Sequence, residues 1–197
     1  MTVDFIIKQA RSGELRSLSD KDKTDEVIIN YINLGLIELF KRFNLKTSAE
    51  VIRTSPTTPF YTLRSEDINQ VISVYDTNNK ELITKRTTDD EKYDIAQINY
   101  NSFLITEPKD EELLFVYKAA PELVSSVNDE IQIPYAMLEA LLHYIGYRAH
   151  GSVNGEINAE QNTHYMRFDK SCALLLSEGY ETDALNVSDS VSKRGFV

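Results

Sequence analysis

The sequence predicts an α+β protein. N-terminal helices and a C-terminal helical hairpin form a helical bundle, an antiparallel β-domain is inserted between them, and an extended C-terminal arm follows. Three observations predict this. Apolar residues recur at helical spacing near both ends of the chain. Between those regions the period falls towards two, and turn residues break the chain every few positions. After residue 179 all periodicity stops and the chain turns polar. The expected divisions are 1–48 with 128–179 for the bundle, 49–127 for the β-domain and 180–197 for the arm.

Thr2 can cap a first helix whose apolar residues are Val3, Ile6, Ile7 and Ala10. Residues 17–26 read SLSDKDKTDE and form a loop. Thr24 or Asp22 then caps a stronger helix, with Asp25 and Glu26 in the first turn where the helix dipole favours anions. Ile28, Ile32, Leu36, Leu39 and Phe43 make one apolar face, and Val27, Tyr31 and Leu34 widen it. So broad a face predicts contact with more than one neighbour, whether helix, sheet or another subunit.

From about Val51 the pattern becomes strand-like, broken by Pro56 and Pro59 before PFYTL. QVISVYD alternates, TNNK signals a turn and ELIT returns. DIAQIN and FLITEP flank YNS as a second hairpin, and ELLFVYKAA is the longest strand candidate. About five to seven short strands are expected.

The block ends at Ile-Gln-Ile-Pro, where Pro134 suits a first helical position. Leu138, Leu141, Leu142, Ile145 and Ala149 recur helically, Gly151 and Gly155 bracket a turn, and Tyr165, Phe168, Cys172, Leu175 and Leu176 form the return stripe. Gly179 is placed to end that helix in a left-handed conformation. No catalytic signature sits on this hairpin, which reads as a packing device.

Composition narrows the function. Cys172 is the sole cysteine and lies on an apolar stripe, so it reads as a buried, inert thiol and no internal disulfide forms. No apolar run approaches the ~20 residues a membrane span needs, and MTVDFIIKQARSG is not a signal peptide. A soluble chain made in a reducing cytoplasm is expected. The net charge is −10, with seven basic and seven acidic side chains in residues 1–44, nine and sixteen in 45–132, and five and eight in 133–197. A nucleic-acid binder needs a basic stripe, and none is visible, so sequence-specific DNA binding is not expected.

Candidate chemistry is sparse. His143 and His150 lie about 10 Å apart on one helix by the ~1.5 Å rise per residue, too far to share a zinc ion, and His164 is on the return helix. No HExxH or local Cys/His motif appears, so a structural or exposed role is expected for all three. Asp94, Glu107 and Lys109 mimic the Asp…Glu-x-Lys set with which some nucleases hold Mg²⁺ and polarise water. Pro108 between the last two argues against it, because a strand interior would lose a hydrogen bond there. A metal-dependent nuclease and an acidic host-factor-binding protein are the alternative readings. The acidic runs Asp89, Asp90, Glu91 and Asp110, Glu111, Glu112 lack calcium-loop spacing. The sequon at Asn186 never meets glycosylation machinery in a cytoplasmic chain. No cofactor motif is present.

Tyr117, Pro121, Leu123, Asp129, Ile131, Ile133, Pro134, Leu141, Leu142, Tyr144 and Ala149, followed by Ala159, Tyr165 and Phe168, resemble the head–tail adaptor (connector) proteins of tailed bacteriophages, in particular those of short-tailed phages. NYINLGLIELFKRF also resembles that family's first long helix, which often carries an Ile-Asn pair such as Ile32-Asn33, and the chain length agrees. The resemblance implies a homo-oligomeric ring, a dodecamer, beneath the portal, joining capsid to tail and letting DNA pass during genome ejection. It implies a virion location after synthesis in the host bacterial cytoplasm, with the portal protein and other tail or adaptor proteins as partners. It implies no catalysis, cofactor, metal or membrane partner. By position in the arm, Leu185, Val187, Val191, Lys193, Arg194, Phe196 and Val197 would contact the portal. Tyr31, Leu34, Tyr144, Tyr147 and Tyr165 would face neighbouring subunits.

Overall fold

The computed structural model of the 197-residue chain describes residues 1–85, 93–154 and 159–180. Asp89, Asp90 and Glu91, Gly155, the Asn186 sequon and the arm residues Leu185, Val187, Val191, Lys193, Arg194, Phe196 and Val197 lie outside the described residues. The chain splits into two compact units, Met1–Asn44 with Pro121–Val197 and Leu45–Ala120.

The first unit holds α1 (Val3–Ser12), α2 (Asp25–Arg42), a 3₁₀ turn (Tyr135–Met137), α3 (Leu138–Asn154) and α4 (Ala159–Ser177). Thr2 Oγ1 accepts from the Phe5 N–H, and Val3, Ile6, Ile7 and Ala10 are all buried, as their spacing predicts. Thr24 is the cap of α2, accepting from the Val27 N–H, while Asp22 instead takes the Ser19 hydroxyl. Ile28, Ile32, Leu36, Leu39 and Phe43 are buried, joined by Leu15 from the α1–α2 loop. Arg11 holds that loop by donating to the Lys23 carbonyl and to Asp25.

The segment that re-enters this unit is tied down by polar contacts as well as apolar ones. Asn33 on α2 donates to the Val124 carbonyl at 2.8 Å and accepts from the Val124 N–H at 2.9 Å. Val3 and Asp4 donate to the Asp129 and Val127 carbonyls, and Ile131 donates to the Met1 carbonyl. These bonds satisfy N–H groups that the first turn of α1 would otherwise leave open.

The hairpin differs from its sequence reading in three ways. Pro134 stands at the cap with an extended ψ of 141°, and a 3₁₀ turn intervenes before α3. The residue before the first helical turn needs the extended conformation, which proline also adopts freely. Gly151 lies inside α3, not at the turn. On α4 the buried stripe is His164, Phe168, Cys172 and Leu175, while Tyr165 and Leu176 are exposed. The helix packs on α3 along one narrow face, so flanking apolar positions stay outside. At its end Gly179 (φ 92°) and Tyr180 donate to the Leu176 and Leu175 carbonyls, the paired bonds of a glycine-terminated helix.

The second unit contains β1 (Thr47–Arg53), β2 (Phe60–Thr62), β3 (Ile68–Tyr75), β4 (Thr84–Lys85), β5 (Ile95–Gln97), β6 (Ser102–Ile105) and β7 (Glu112–Ala119). One sheet runs β1-β7-β3 and the other β2-β6-β5-β4. All pairings are antiparallel except the short parallel pair β4–β5. Leu113, Phe115, Tyr117 and Ala119 of β7 share a core with Val71 and Val74 of β3 and with Ile95, Phe103 and Ile105 of the other sheet. The Phe103 and Phe115 rings lie 4.9 Å apart.

Two register shifts interrupt β3, between Ile68 and Gln70 and between Val71 and Ser73. Each sets two residues against one, so the core takes Ile68, Val71 and Val74 at intervals of three. The expected strict alternation of QVISVYD is therefore broken. The turn after β3 forms as expected: Asp76 accepts from the Asn78 and Lys80 N–H groups, and Asn79 has a φ of 58°. Leu82 still donates to the Val74 carbonyl, but the chain then leaves β3 and pairs with β5.

Candidate functional site

Three of the expected subunit-contact residues, Tyr144, Tyr147 and Tyr165, lie together on the helical unit. On α3 and α4, Tyr144 packs edge-on to Phe168 at 5.1 Å and to Tyr147 at 5.7 Å, and Tyr147 meets Tyr165 at 5.1 Å. Tyr144 and Tyr147 are half-buried in this aromatic row, and Tyr31 on α2 is half-buried too. Leu34 and Tyr165 are exposed. Alongside them α4 exposes Met166 (71%), Leu174 (53%) and Leu176 (44%), which the sequence reading assigned no surface role. At about 3.6 residues per turn Leu176, roughly three turns on, falls on the Tyr165 side of α4, while Leu174, about two and a half turns on, falls on the opposite flank.

Arg42 anchors the row. Its guanidinium lies 4.6 Å over the Phe168 ring, pairs with Asp169 at 2.6 Å and Glu38 at 3.0 Å, and donates to the Tyr165 hydroxyl. Burial would lower its pKa, but the two carboxylates outweigh it and raise it. The last turn of α2 is thereby fixed to α4 through a charge that stays on at any pH the protein meets.

A second constellation has no counterpart in the sequence reading, because its members come from distant parts of the chain. Glu14, just past α1, lies between His143 on α3 and His164 on α4. Its oxygens are 3.2 Å from His143 Nδ1 and 2.8 Å from His164 Nδ1. Both Nδ1 atoms are buried, and neither is aligned for a hydrogen bond. His143, then His164, hold the Glu14 carboxyl well below the usual carboxylate range, against the opposing effect of burial. Glu139, one turn before His143, is 3.5 Å from its Nε2. His150 stacks on His164 with centroids 4.8 Å apart, and its Nε2 lies 3.1 Å from the Glu14 carbonyl oxygen. Gly146 makes room for this, since a Cβ there would stand 2.7 Å from His164 Nδ1. A cavity of about 530 Å³, lined by Glu14, Arg16, His150, His164 and Arg167 among others, opens beside the cluster. The three histidines are thus enclosed rather than exposed. The only local hint was Glu139 one helical turn from His143.

Of the nuclease-like trio, Asp94 lies just before β5, and Glu107 and Lys109 just after β6. Asp94 accepts from the Ile83 N–H at 2.9 Å, tying the starts of β4 and β5 together. Glu107 and Lys109 are exposed, and the Lys109 carbonyl accepts from the Thr54 hydroxyl. Among the described residues no helix is long and apolar enough to cross a membrane.

Comparison with known proteins follows the same direction. A family model described as SU10 adaptor protein matches residues 1–189. No curated protein matches the sequence. A solved structure described as "Neck of empty GTA particle computed with C6 symmetry" is similar over 84% of this chain and 87% of that chain, at 10% identity and a TM-score of 0.33. A similarity of that size does not establish a shared fold.

Proposed function

The chain belongs to the SU10 adaptor family and is a phage head–tail adaptor, a structural component of the virion, and from that premise we propose how it assembles and acts. It closes into a homo-oligomeric ring beneath the portal, a dodecamer, that joins capsid to tail and lets DNA through without reading it. A ring needs heterologous contacts, one face of each copy meeting a different face of the next. The observation that carries this reading is that α4 leaves Tyr165, Met166, Leu174 and Leu176 exposed. Tyr31, Leu34, Tyr144, Tyr147 and Tyr165 take part in the subunit contact, their face on one copy meeting a different face of the next.

The arm, residues 180–197, reaches the portal through Leu185, Val187, Val191, Lys193, Arg194, Phe196 and Val197. An ordering tail of this kind gains contact area at the cost of conformational entropy when it binds. The net charge of −10 suits a wall that DNA must slide past, because a cationic wall would hold the duplex by counterion release. The protein is synthesised in the host cytoplasm and performs no catalysis.

Electron microscopy of the chain mixed with its portal tests this. Rings stacked on the portal are expected, and deleting residues 188–197 should abolish the stacking while leaving the fold intact. Portal particles without an added ring, or portal binding unchanged by the truncation, would overturn the assembly and the arm assignment respectively. A Mg²⁺-dependent plasmid-nicking assay should show no cleavage.

A further inference from the structure

We propose that Glu14, His143 and His164 form a zinc site that ties the loop after α1 to the α3–α4 hairpin. The three donors come from three separate segments, and their ligating atoms all lie within 4.8 Å of one another. Tetrahedral zinc ligands at ~2.0–2.1 Å from the metal stand about 3.3 Å apart. Glu14 Oε1 stands 3.2 Å from His143 Nδ1 and Oε2 stands 2.8 Å from His164 Nδ1, near that spacing for two of the three donor pairs. Two imidazoles and one carboxylate are a donor set zinc accepts, with a fourth position left for water.

Three further features point to a ligand at this place. Both Nδ1 atoms are buried and face the same carboxylate at 3.2 and 2.8 Å without the alignment of a hydrogen bond, so that all three groups converge on one point. His143 has Glu139 behind its other nitrogen at 3.5 Å, the outer carboxylate that commonly orients a metal-bound histidine. Gly146 leaves space for the His164 ring that any side chain would take. The cavity beside the cluster supplies an entry path. Arg16 and Arg167 also line it, so affinity must come from the three donors and not from a negative cavity. The nitrogen ligands exclude Mg²⁺ and Ca²⁺, which take oxygen donors.

The test uses the full-length, untagged chain stripped with a chelator, titrated with Zn²⁺ in a calorimeter and with Co²⁺ followed by visible absorption. One equivalent of Zn²⁺, a tetrahedral Co²⁺ spectrum and no heat from Mg²⁺ are expected. His164→Ala should lose the site. Glu139→Gln, at a residue 76% exposed in its side chain and so harmless to folding, should weaken Zn²⁺ binding about 10- to 100-fold. Circular dichroism confirms that each variant is folded. No saturable Zn²⁺ binding by the wild-type chain would overturn the proposal. So would one-equivalent binding that a folded His164→Ala variant retains at full strength.

Discussion

Replacing Leu174 by aspartate separates a surface held for assembly from one held for folding, because its neighbour Leu175 provides the control. Leu174 is 53% exposed and Leu175 5%. In the isolated chain Leu174→Asp touches little, and such surface changes shift stability by about 0.5 kcal/mol or less. If the outer side of α4 is covered in the ring, the remaining half of Leu174 contributes roughly 1–1.5 kcal/mol per contact by burial. A carboxylate pressed against an apolar partner costs about 1–3 kcal/mol more. The sum of about 2–4 kcal/mol weakens each contact roughly 30- to 700-fold. Leu175→Asp removes a buried leucine, at about 2–5 kcal/mol, and buries a charge as well. That approaches a typical total stability of about 5–15 kcal/mol. Thermal melting by circular dichroism reads the fold, and electron microscopy with portal reads the ring. A folded Leu174→Asp chain that cannot form rings, beside an unfolded Leu175→Asp chain, is the expected pair. Rings of Leu174→Asp forming at wild-type concentration would refute the reasoning.

Three other outcomes are expected. Asn33→Asp keeps shape but puts an acceptor against the Val124 carbonyl in place of a donor; it should cost about 1–3 kcal/mol in urea unfolding, and a shift under about 0.5 kcal/mol would rule out the pin. Burial pushes the Cys172 thiol up to about 11, so its alkylation at pH 8 should be on the order of a hundredfold or more slower in the folded chain than in denaturant. Burial would raise the Glu50 pKa, but the Arg64 and Ser65 N–H groups and the Ser65 hydroxyl outweigh it and set it below the usual 4.5. A folded pKa below the unfolded one stabilises fully above the unfolded value and is lost as pH falls through the folded one. The urea midpoint should therefore drop with acid below about pH 4.5, and Glu50→Gln should flatten that drop.

Much of the fold was legible because it is encoded within a few turns of chain. Thr2 and Thr24 cap the helices they precede, and apolar spacing names the buried residues of α1 and Ile28, Ile32, Leu36 and Leu39 of α2. The buried face of α2 widens, though, through Ile29 and Phe40 and not through Val27, Tyr31 and Leu34. The hairpin of β5 and β6 and the long β7 follow from alternation and turn residues. The departures arise where distant partners choose. Two register shifts let β3 turn Ile68, Val71 and Val74 to one core, and β4 leaves its expected hairpin because β5 offers it an edge. On α4, helical spacing admits Tyr165 and Leu176 to the buried stripe, yet α3 covers only the line through His164, Phe168, Cys172 and Leu175.

By itself the sequence determined the α+β class, the order of helices and strands, the caps, and, through Ile32-Asn33 and the hairpin pattern, the adaptor family. Only the tertiary structure decided that Asn33 pins Val124, that Arg42 joins α2 to α4, and that Glu14 meets His143 and His164. The physical reason is range. Periodicity and capping act between residues three or four apart, whereas a donor set drawn from positions 14, 143 and 164 exists only after three separate elements have packed.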